Sequence, residues 1–349
     1  MALDDVLASA VEREGFSAAA ASVSYGGSSV EEAHVGHPTV DGPRDPQEPL
    51  TSDHRFDWAS LTKVATTACV LSLVGSGRLR LDDPAHRWVP CPDAWVTVRD
   101  LLTHRAGLWE WQPLHLVAHG REEVLRVVQE LGQRYPRDSG WHYSDLSMML
   151  LGALVEEVVG LELPTAVATL VTGPLGMRHT AYGPVGAGSA VATALGDAID
   201  VEMVGSGDPF PIVVAQTREV HWRRYRLRGE VHDANAHHAL GGVSGHAGLF
   251  GTLADLSRLG QAFLDDSLAT ARVRAEFLQP LPDGQALGLR WTPQPEGPAY
   301  WHGGFTGTRL QVEPGTGRVT ALLTNRLSAA QASRLAPNVT RLWSDVLAR

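Results

Sequence analysis

Hydrophobic residues recur at helical spacing through most of the chain, whereas strand-like alternation is found mainly near its two ends. The first helix is predicted to be amphipathic, with an apolar face formed by Leu3, Val6, Leu7, Ala10 and Val11. Small and β-branched residues then alternate over residues 18–27 and stop at Gly26 and Gly27. This segment is therefore predicted to be a strand that ends in a turn.

The central part of the sequence is predicted to be mostly helical. Residues 60–79 are apolar at helical spacing and stop at Gly75 and Gly77, which indicates a buried helix. The same periodicity predicts further helices at residues 98–104, 121–133, 144–160 and 252–266. The polar, proline-rich residues 38–53 are expected to form a loop, and residues 183–245 show no clear secondary-structure pattern.

Strand periodicity returns near the C-terminus. Two apolar runs within residues 306–325 flank a Pro-Gly-Thr-Gly turn and predict a hairpin. The last segment begins at Ser328 and is expected to be helical, with an apolar face formed by Leu335, Val339, Leu342 and Val346. Strands at both ends predict an α/β (α+β) domain built from residues 1–58 and 240–349, into which a mostly helical domain, residues 59–239, is inserted.

Charge and hydropathy exclude several classes of protein. The chain has 349 residues and a formal net charge of −10, whereas a nucleic-acid partner requires a basic face. The one basic run, residues 221–230, is expected to be a solvated loop, with a small anion site as the alternative. No apolar stretch is long enough to span a membrane, and acids occupy the N-terminus where a secretory signal needs basic residues. We therefore expect a cytoplasmic protein with neither nucleic acid nor membrane as a partner.

No metal or other cofactor is expected. Cys69 and Cys91 lack metal-ligand spacing, and Cys69 lies within an apolar helix, which favours a core thiol. The spacing in one histidine-rich region matches no zinc pattern, so a metal site is not expected there; the region contains His232, His237, His238 and His246.

The chemistry-bearing residue that stands out is Lys63, because it is the single lysine beside 28 arginines. Lysine can lose its proton when it is desolvated, whereas arginine cannot. Ser60 lies three residues earlier, so both side chains share one helical face and a neutral Lys63 amine can act as the base for a Ser60 nucleophile. Ser60 would also lie at a helix N-terminus, which favours developing negative charge. The alternative is a surface lysine, but the apolar run that follows Lys63 favours a buried position.

With this Ser-x-x-Lys pair, the chain resembles the serine β-lactamases and penicillin-binding proteins, and in particular the class C β-lactamase branch, which includes esterases, D-amino-acid peptidases and acyltransferases. Residues 141–160 resemble the Tyr-x-Asn segment of that family, and residues 301–317 resemble its third motif. The segments 78–90, 96–108 and 229–264 are also similar and occur in the family's order. The resemblance implies an antiparallel sheet flanked by N- and C-terminal helices, with the active site where the sheet domain meets the helical domain.

The resemblance also implies roles for several residues. Tyr143 matches the family tyrosine that relays protons, and we expect a neighbouring ammonium to lower its pKa. His302, Gly303 and Gly304 occupy the position of the family's Lys-Thr-Gly triplet. The backbone N–H groups of Ser60 and Phe305 are then expected to form the oxyanion hole.

Two residues depart from the family pattern. His302 replaces a lysine that holds a carboxylate, and it is expected to be a weaker, pH-dependent anion partner. Asp145 replaces an asparagine. Near Lys63, Asp145 would stabilise the ammonium and oppose its use as a base. Asp145 therefore either points away, or is protonated, or selects a substrate that carries an amine or a hydroxyl.

Aromatic and polar residues beside the motifs are expected to shape the substrate pocket. His232 and Asp233 are placed near the cleft by the resemblance. Tryptophans that adjoin motif segments could wall an apolar pocket, namely Trp109, Trp111, Trp141 and Trp301. Trp88 and Trp343 are expected to lie in the core.

The sequence therefore predicts a serine hydrolase, an esterase or amidase that acts on a small ester, thioester or amide through Ser60, Lys63 and Tyr143. An acyltransferase that passes the acyl group to an amine or alcohol is the first alternative. A non-catalytic binding protein on the same fold is the second, and Asp145 is the residue that favours it. True β-lactamase or cell-wall peptidase activity is disfavoured by the absent third-motif lysine. The oligomeric state is left open.

Overall fold

The computed structural model describes residues 2–39, 48–328 and 339–349. Eleven α-helices and eleven strands lie in these ranges. The helices are α1 (Leu3–Glu14), α2 (Thr62–Gly75), α3 (Val98–Leu102), α4 (Arg121–Leu131), α5 (Asp145–Val159), α6 (Leu163–Val167), α7 (Ala198–Ser206), α8 (Ala234–Leu240), α9 (Leu253–Gln261), α10 (Ala271–Phe277) and α11 (Thr340–Leu347). The strands are β1 (Ala18–Tyr25), β2 (Ser28–Gly36), β3 (Phe56–Asp57), β4 (Ala181–Tyr182), β5 (Ala192–Leu195), β6 (Arg226–Arg228), β7 (Leu249–Gly251), β8 (Arg290–Thr292), β9 (Ala299–Gly303), β10 (Arg309–Glu313) and β11 (Arg318–Thr324).

The main sheet contains six antiparallel strands in the order β2-β1-β11-β10-β9-β8. The adjacent strands β1 and β11 join the two ends of the sequence, because Ala19 of β1 lies opposite Thr324 of β11. Helices α1 and α11 cover one face, where Leu7, Leu322 and Trp343 belong to one apolar cluster. Helix α9 packs on β1, β10 and β11. The predicted fold class, an antiparallel sheet with N- and C-terminal helices, is confirmed.

Helix α2 lies in the centre of the main core and is buried on nearly every side. It contacts α5, α6, α9 and α10, which explains why its sequence is apolar around the whole helix rather than on one stripe. The other predicted helices are confirmed within a few residues as α1, α3, α4, α5 and α9, and the predicted hairpin is confirmed as β10 and β11. Trp343 lies in the apolar cluster under α1 and α11, and the partly buried Trp88 packs against the main core.

The hydrophobic pattern of the sequence did not predict some of the elements. Strand β2 is polar and largely exposed at the edge of the sheet, so it carries little hydrophobic alternation. The region 183–245 contains β5, α7, β6 and α8, which are short and separated by irregular segments. Residues 48–53 form no helix or strand, and the rest of the predicted loop, residues 40–47, lies outside the described residues, as does Leu335.

Two small sheets lie beside the main one, in the orders β3-β7-β4 and β5-β6. The pairing of β3 with β7, in which Phe56 lies opposite Gly251, fixes the chain just before α2 begins. The main sheet takes its strands from both ends of the sequence, and most helices lie between them. The boundaries of the two proposed domains stay a prediction. No helix in the described ranges is long and apolar enough to cross a membrane.

Candidate active site

Ser60 lies in a short 3-10 turn, Ala59–Leu61, which joins β3 to the start of α2. The residue before it, Ala59, has a φ of 47°, a left-handed conformation that an alanine seldom adopts. Asp57 stabilises this turn, because its Oδ1 accepts the Ala59 N–H at 2.8 Å and its Oδ2 accepts the His232 N–H at 2.8 Å. Burial raises the pKa of Asp57 to about 6, against the lowering effect of those two N–H groups. Sequence reasoning missed Asp57.

Lys63 lies one helical turn after Ser60 and its side chain is only 1% exposed. Its Nζ donates to Ser60 Oγ at 2.7 Å and to the His246 carbonyl oxygen at 3.2 Å. The same nitrogen is 2.8 Å from Asp145 Oδ1. Asp145 therefore points at Lys63. The sequence left open that Asp145 points away from Lys63, and this possibility is wrong.

The charge of Lys63 is set by this neighbour. Burial by itself lowers the pKa of Lys63, but Asp145 and, less strongly, Tyr143 raise it, and the net direction is upward. At neutral pH, Lys63 is therefore an ammonium that already donates to Ser60. The Ser-x-x-Lys pattern alone suggested a neutral lysine amine, but that is not the resting state of Lys63.

Tyr143 completes the group from the segment that enters α5. Ser144 caps that helix through its Oγ, which accepts the Ser147 N–H. The Lys63 ammonium lies 5.0 Å from the centroid of the Tyr143 ring. Burial raises the pKa of Tyr143; Lys63 and Ser60 lower it, but the net direction is upward. The expected lowering of this pKa is therefore wrong, because desolvation of the phenol outweighs its hydrogen bonds and the ammonium. Tyr143 is a neutral phenol, suited to donating a proton.

Two backbone donors are available beside Ser60. Within the ranges that the structure describes, the backbone N–H groups of Ser60 and Phe305 have no hydrogen-bond acceptor. Phe305 follows Gly304, where a Cβ atom would lie 2.0 Å from Thr308 Oγ1 and 2.5 Å from the Trp58 carbonyl oxygen. Only glycine permits the turn after β9 to approach the chain next to Ser60 this closely.

His302 is in the expected place on β9 but is not charged. Its Nδ1 lies 2.8 Å from the Gly303 carbonyl oxygen, so this nitrogen carries the proton and donates. Burial, together with the nearby Lys63 ammonium, lowers the pKa of His302 to about 3. At neutral pH, His302 is a neutral imidazole. The expectation that it acts as a pH-dependent anion partner is corrected, because desolvation keeps it uncharged.

Two cavities open from Ser60, and both are lined by Ser60, Tyr143 and Phe305. The first, here called the acidic arm, has a volume of about 380 Å³. Its lining includes Trp111, Ile199, Met203, Phe210, His232 and His246 and the acidic residues Glu110, Asp145, Asp200 and Asp233. The second, here called the basic arm, has a volume of about 430 Å³. Its lining includes Trp141, Trp301, His302, Gly303 and Gly304 and the arginines Arg290, Arg309 and Arg326.

The tryptophans separate into different roles. Trp111 lines the acidic arm, and Trp141 and Trp301 line the basic arm, so all three wall the cleft in the way the sequence suggested. Trp109 lines neither arm. Its ring instead packs 5.0 Å from the Arg134 guanidinium, and its carbonyl oxygen accepts from Ser144. The expected role of Trp109 in substrate binding is therefore not supported, because its indole packs on Arg134 and against the main core.

The histidines of the region 232–246 make separate contacts. His238 Nε2 lies 2.9 Å from Asp197, and His246 Nε2 lies 3.0 Å from Asp233 Oδ1. Ligand-type atoms of Asp145, Asp233 and His246 do lie within 4.8 Å of one another. However, the Lys63 ammonium already places a positive charge against Asp145. We assign no metal to this group.

The basic run 221–230 is partly structural. Arg223 is buried and donates to Asp197 Oδ1 from both Nε and Nη2, at 2.8 and 2.6 Å. It also donates to the carbonyl oxygens of Val231 and His232, just before α8. These contacts fix the position of the segment that contains His232 and Asp233, and both of these residues line the acidic arm. The expectation of a solvated loop is wrong for Arg223.

Comparison with known proteins shows which family the chain belongs to. A sequence profile of the Beta-lactamase family matches residues 3–342, and the chain belongs to that family. It is 27% identical over 329 residues to a putative D-alanyl-D-alanine carboxypeptidase of Salmonella schwarzengrund (strain CVM19633), a match that covers 83% of this chain and 73% of that protein. Family membership confirms the resemblance drawn from the sequence, and with it an enzyme of the serine hydrolase or acyltransferase class.

Solved structures share the fold. The D-amino acid amidase from Ochrobactrum anthropi SV3, complexed with L-phenylalanine, matches with a TM-score of 0.75 and 21% identity, covering 99% of this chain and 97% of that one. EstCE1, a hydrolase with promiscuous acyltransferase activity, matches with a TM-score of 0.72 and 19% identity, covering 93% and 92%. At these identities the similarity concerns the fold.

Proposed function

We propose that this protein is an acyl-enzyme serine hydrolase that cleaves a small ester, thioester or amide, with Ser60 as the nucleophile. The observation that carries the proposal is the contact of the buried Lys63 Nζ with Ser60 Oγ at 2.7 Å. Two acceptor-free N–H groups beside Ser60 support it. An esterase or amidase also agrees with the functions of the similar proteins, a putative carboxypeptidase, an amidase and a hydrolase.

The proton of Ser60 needs an acceptor, and an ammonium cannot accept one. We therefore assign that task to Lys63 and Asp145 together. As Ser60 Oγ attacks the carbonyl carbon, its proton moves to Lys63, and Lys63 passes one of its own protons to Asp145 Oδ1, 2.8 Å away. Asp145 is thereby neutralised, Lys63 remains an ammonium, and the negative charge develops on the substrate oxygen. In this scheme Asp145 is a functional member of the site rather than a sign of lost activity.

The developing oxyanion would be held by the N–H groups of Ser60 and Phe305. Donors of this kind are worth about 3–4 kcal/mol each when one is removed from a serine hydrolase. Collapse of the tetrahedral intermediate breaks the bond to the leaving group, which takes a proton from the neutral phenol of Tyr143. Tyr143 recovers a proton from Asp145 through Lys63. A water molecule then attacks the ester on Ser60 and its proton passes through Lys63 to Asp145. When the bond to Ser60 Oγ breaks, that proton returns through Lys63 to Ser60 and the carboxylic acid leaves.

Whether water or another nucleophile removes the acyl group distinguishes a hydrolase from an acyltransferase. The experiment is turnover of p-nitrophenyl acetate in the absence and presence of an added primary amine or alcohol, with Ser60→Ala as the control. If the protein is a hydrolase, the fraction of acetyl groups released as acetate stays the same when the amine or alcohol is added. Acetylated acceptor as the main product would instead establish the acyltransferase alternative. Turnover that survives in Ser60→Ala would contradict the assignment of Ser60.

The binding-protein alternative predicts a different result. If neither turnover nor an acyl adduct is found with the intact protein, while a ligand still binds in the cleft, the Ser60–Lys63 contact is a relic and the protein only binds. The same comparison includes Tyr143→Phe, which keeps the ring and removes the hydroxyl. Under the proposed mechanism this change slows turnover by about 10²- to 10⁴-fold, the usual contribution of a general acid or base.

A further inference from the structure

His232 is a buried side chain of the acidic arm that the proposed mechanism does not use. It is only 5% exposed and lines this arm together with Ser60 and Phe305. Its Nε2 is buried and has no hydrogen-bond partner among the described residues, and its Nδ1 forms no hydrogen bond with them either. Buried polar groups in proteins nearly always have a partner, so this ring in a cavity wall points to a ligand group.

The His232 ring is held in place by its backbone. The His232 N–H donates to Asp57 Oδ2 at 2.8 Å, and its carbonyl oxygen accepts from Arg223 Nη2 at 2.9 Å. Its ring centroid lies 5.8 Å from that of Phe305, whose N–H is one of the two donors beside Ser60. The imidazole is therefore positioned next to the reacting centre before any ligand binds.

The charge state of His232 determines which group it can bind. Burial lowers the pKa of His232 to about 4, so the ring is neutral at neutral pH. A neutral imidazole has one nitrogen that donates a hydrogen bond and one that accepts. A hydroxyl group also does both, whereas an ammonium only donates and a carboxylate only accepts.

The other groups of the acidic arm do not favour a cation. Three of its four carboxyl groups already have partners in the protein. These pairs are Glu110 with Arg134, Asp145 with Lys63, and Asp233 with His246. The fourth, Asp200, is 6% exposed, and burial and the neighbouring carboxylates raise its pKa well above the usual value, which favours its uncharged form. The arm thus offers no free negative charge to an ammonium.

The rest of the acidic arm is apolar. Trp111, Ile199 and Phe210 are among its lining residues, and its volume is about 380 Å³. Such walls suit a hydrocarbon chain, and a few placed polar groups then fix its orientation. We infer that the acidic arm selects an uncharged substrate chain that bears a hydroxyl group, and that this hydroxyl is bound by the imidazole of His232.

This inference rests on the acyl-enzyme function proposed above and names its substrate class, a hydroxyl-bearing ester, thioester or amide. His232 is then a residue that determines specificity, separate from the groups that move the proton of Ser60. A chain with a methyl group in place of the hydroxyl would fill the same volume but leave the buried imidazole without a partner, which is the usual origin of strong discrimination for a hydroxyl.

The test is a binding measurement that does not depend on catalysis. NMR titrations of the full-length Ser60→Ala variant use amides of equal shape that differ in one group, a hydroxyl, a methyl or an ammonium. One series varies the acyl side: N-ethyl-3-hydroxybutanamide, N-ethyl-3-methylbutanamide and N-ethyl-3-aminobutanamide. The other varies the amine side: N-(2-hydroxypropyl)propanamide, N-(2-methylpropyl)propanamide and N-(2-aminopropyl)propanamide. Both enantiomers of each chiral compound are titrated.

We expect the hydroxyl compound to bind about tenfold or more tightly than its methyl and ammonium counterparts in one of the two series. The series that shows the preference identifies the side of the carbonyl that enters the acidic arm. A preference below about twofold in both series, tightest binding by an ammonium compound, or no binding by any compound would overturn the inference.

Substitutions of His232 in the Ser60→Ala protein show whether the imidazole carries the preference. His232→Phe keeps a ring and removes both nitrogens, and His232→Met gives the same comparison with a flexible side chain beside Phe305. In both, the hydroxyl preference should fall to within about twofold. His232→Gln, which can still donate and accept, should keep at least a threefold preference. The control His179→Phe replaces an exposed histidine outside the cleft and should keep all of it. A full preference in His232→Phe or His232→Met would overturn the assignment.

The outcomes keep the two proposals apart. Turnover of p-nitrophenyl acetate by the unmodified protein is measured in parallel. If the hydroxyl preference is absent while this ester is consumed, Ser60 remains the nucleophile and the hydroxyl-bearing substrate is rejected. If the preference is present and depends on His232 but no ester is turned over, the recognition is upheld and the proposed catalysis fails.

Discussion

The ion pair between Lys63 and Asp145 determines how protons move in this site, and replacing Asp145 with asparagine tests it. The substitution keeps the size of the side chain and removes its charge. Lys63 would then be a buried cation whose remaining contacts, with Ser60, Tyr143 and the His246 carbonyl oxygen, are all to neutral groups. Burial, which disfavours the charged form, would become the largest influence on its pKa.

The size of the effect follows from the distance. Two unit charges 2.8 Å apart interact by about 6 kcal/mol at an effective dielectric constant of about 20. The Asp145 side chain is 17% exposed, so water screens part of this energy. Half of it, about 3 kcal/mol, corresponds to about two pH units at 1.36 kcal/mol per unit. We therefore expect the titration midpoint of Lys63 to fall by at least that much in Asp145→Asn.

The assay uses the fact that Lys63 is the single lysine of the chain. Protein labelled with ¹³C at the lysine ε carbon gives one lysine NMR signal, whose chemical shift follows the charge of Lys63. In the unmodified protein this signal should stay in the ammonium form up to the alkaline limit of the folded state. In Asp145→Asn it should titrate within the accessible range, while the exposed control Asp53→Asn behaves as the parent. Equal midpoints in parent and Asp145→Asn would refute the ion pair and the proton route built on it.

Three further substitutions test the geometry around Ser60. Lys63→Arg keeps the charge but cannot pass a proton on, so acylation should slow by about 10²- to 10⁴-fold; parental rates would contradict the proton route. Asp57→Asn places an amide NH₂ against one of two backbone N–H donors, which should cost about 1–3 kcal/mol in urea unfolding and slow acylation, and parental stability would show that the two hydrogen bonds do not hold the turn. Gly304→Ala forces a Cβ to 2.0 Å from Thr308 Oγ1 and should cost about 1–3 kcal/mol, whereas the matched Gly303→Ala meets nothing nearer than 3.8 Å; equal melting temperatures for the two would contradict the close approach.

The nucleophile and its neighbours were predictable because their signals are local. Ser60 and Lys63 are three residues apart on one helix, and the same spacing brings the side chains together in the structure. The long helices α2 and α5 were predicted for a similar reason, since each has a continuous apolar periodicity and ends at glycine.

The residues that the sequence did not reveal act through distant contacts. Asp57 fixes Ala59 together with His232, which is far away in the sequence, and no local pattern marks such a pair. Asp200 lines the acidic arm from a region without clear periodicity, so no pattern in the sequence marked it. The charge states of Tyr143 and His302 also depend on burial, which the residue types alone do not give.

The central claim is that Ser60 becomes acylated. The most direct measurement is the intact mass of the protein, quenched in acid within seconds of mixing with p-nitrophenyl acetate, followed by peptide mapping. We predict a mass increase of one acetyl group, located on the peptide that contains Ser60 and absent from Ser60→Ala. An unmodified protein that nevertheless consumes the ester, or an acetyl group on Lys63 or another residue with Ser60 free, would contradict the account.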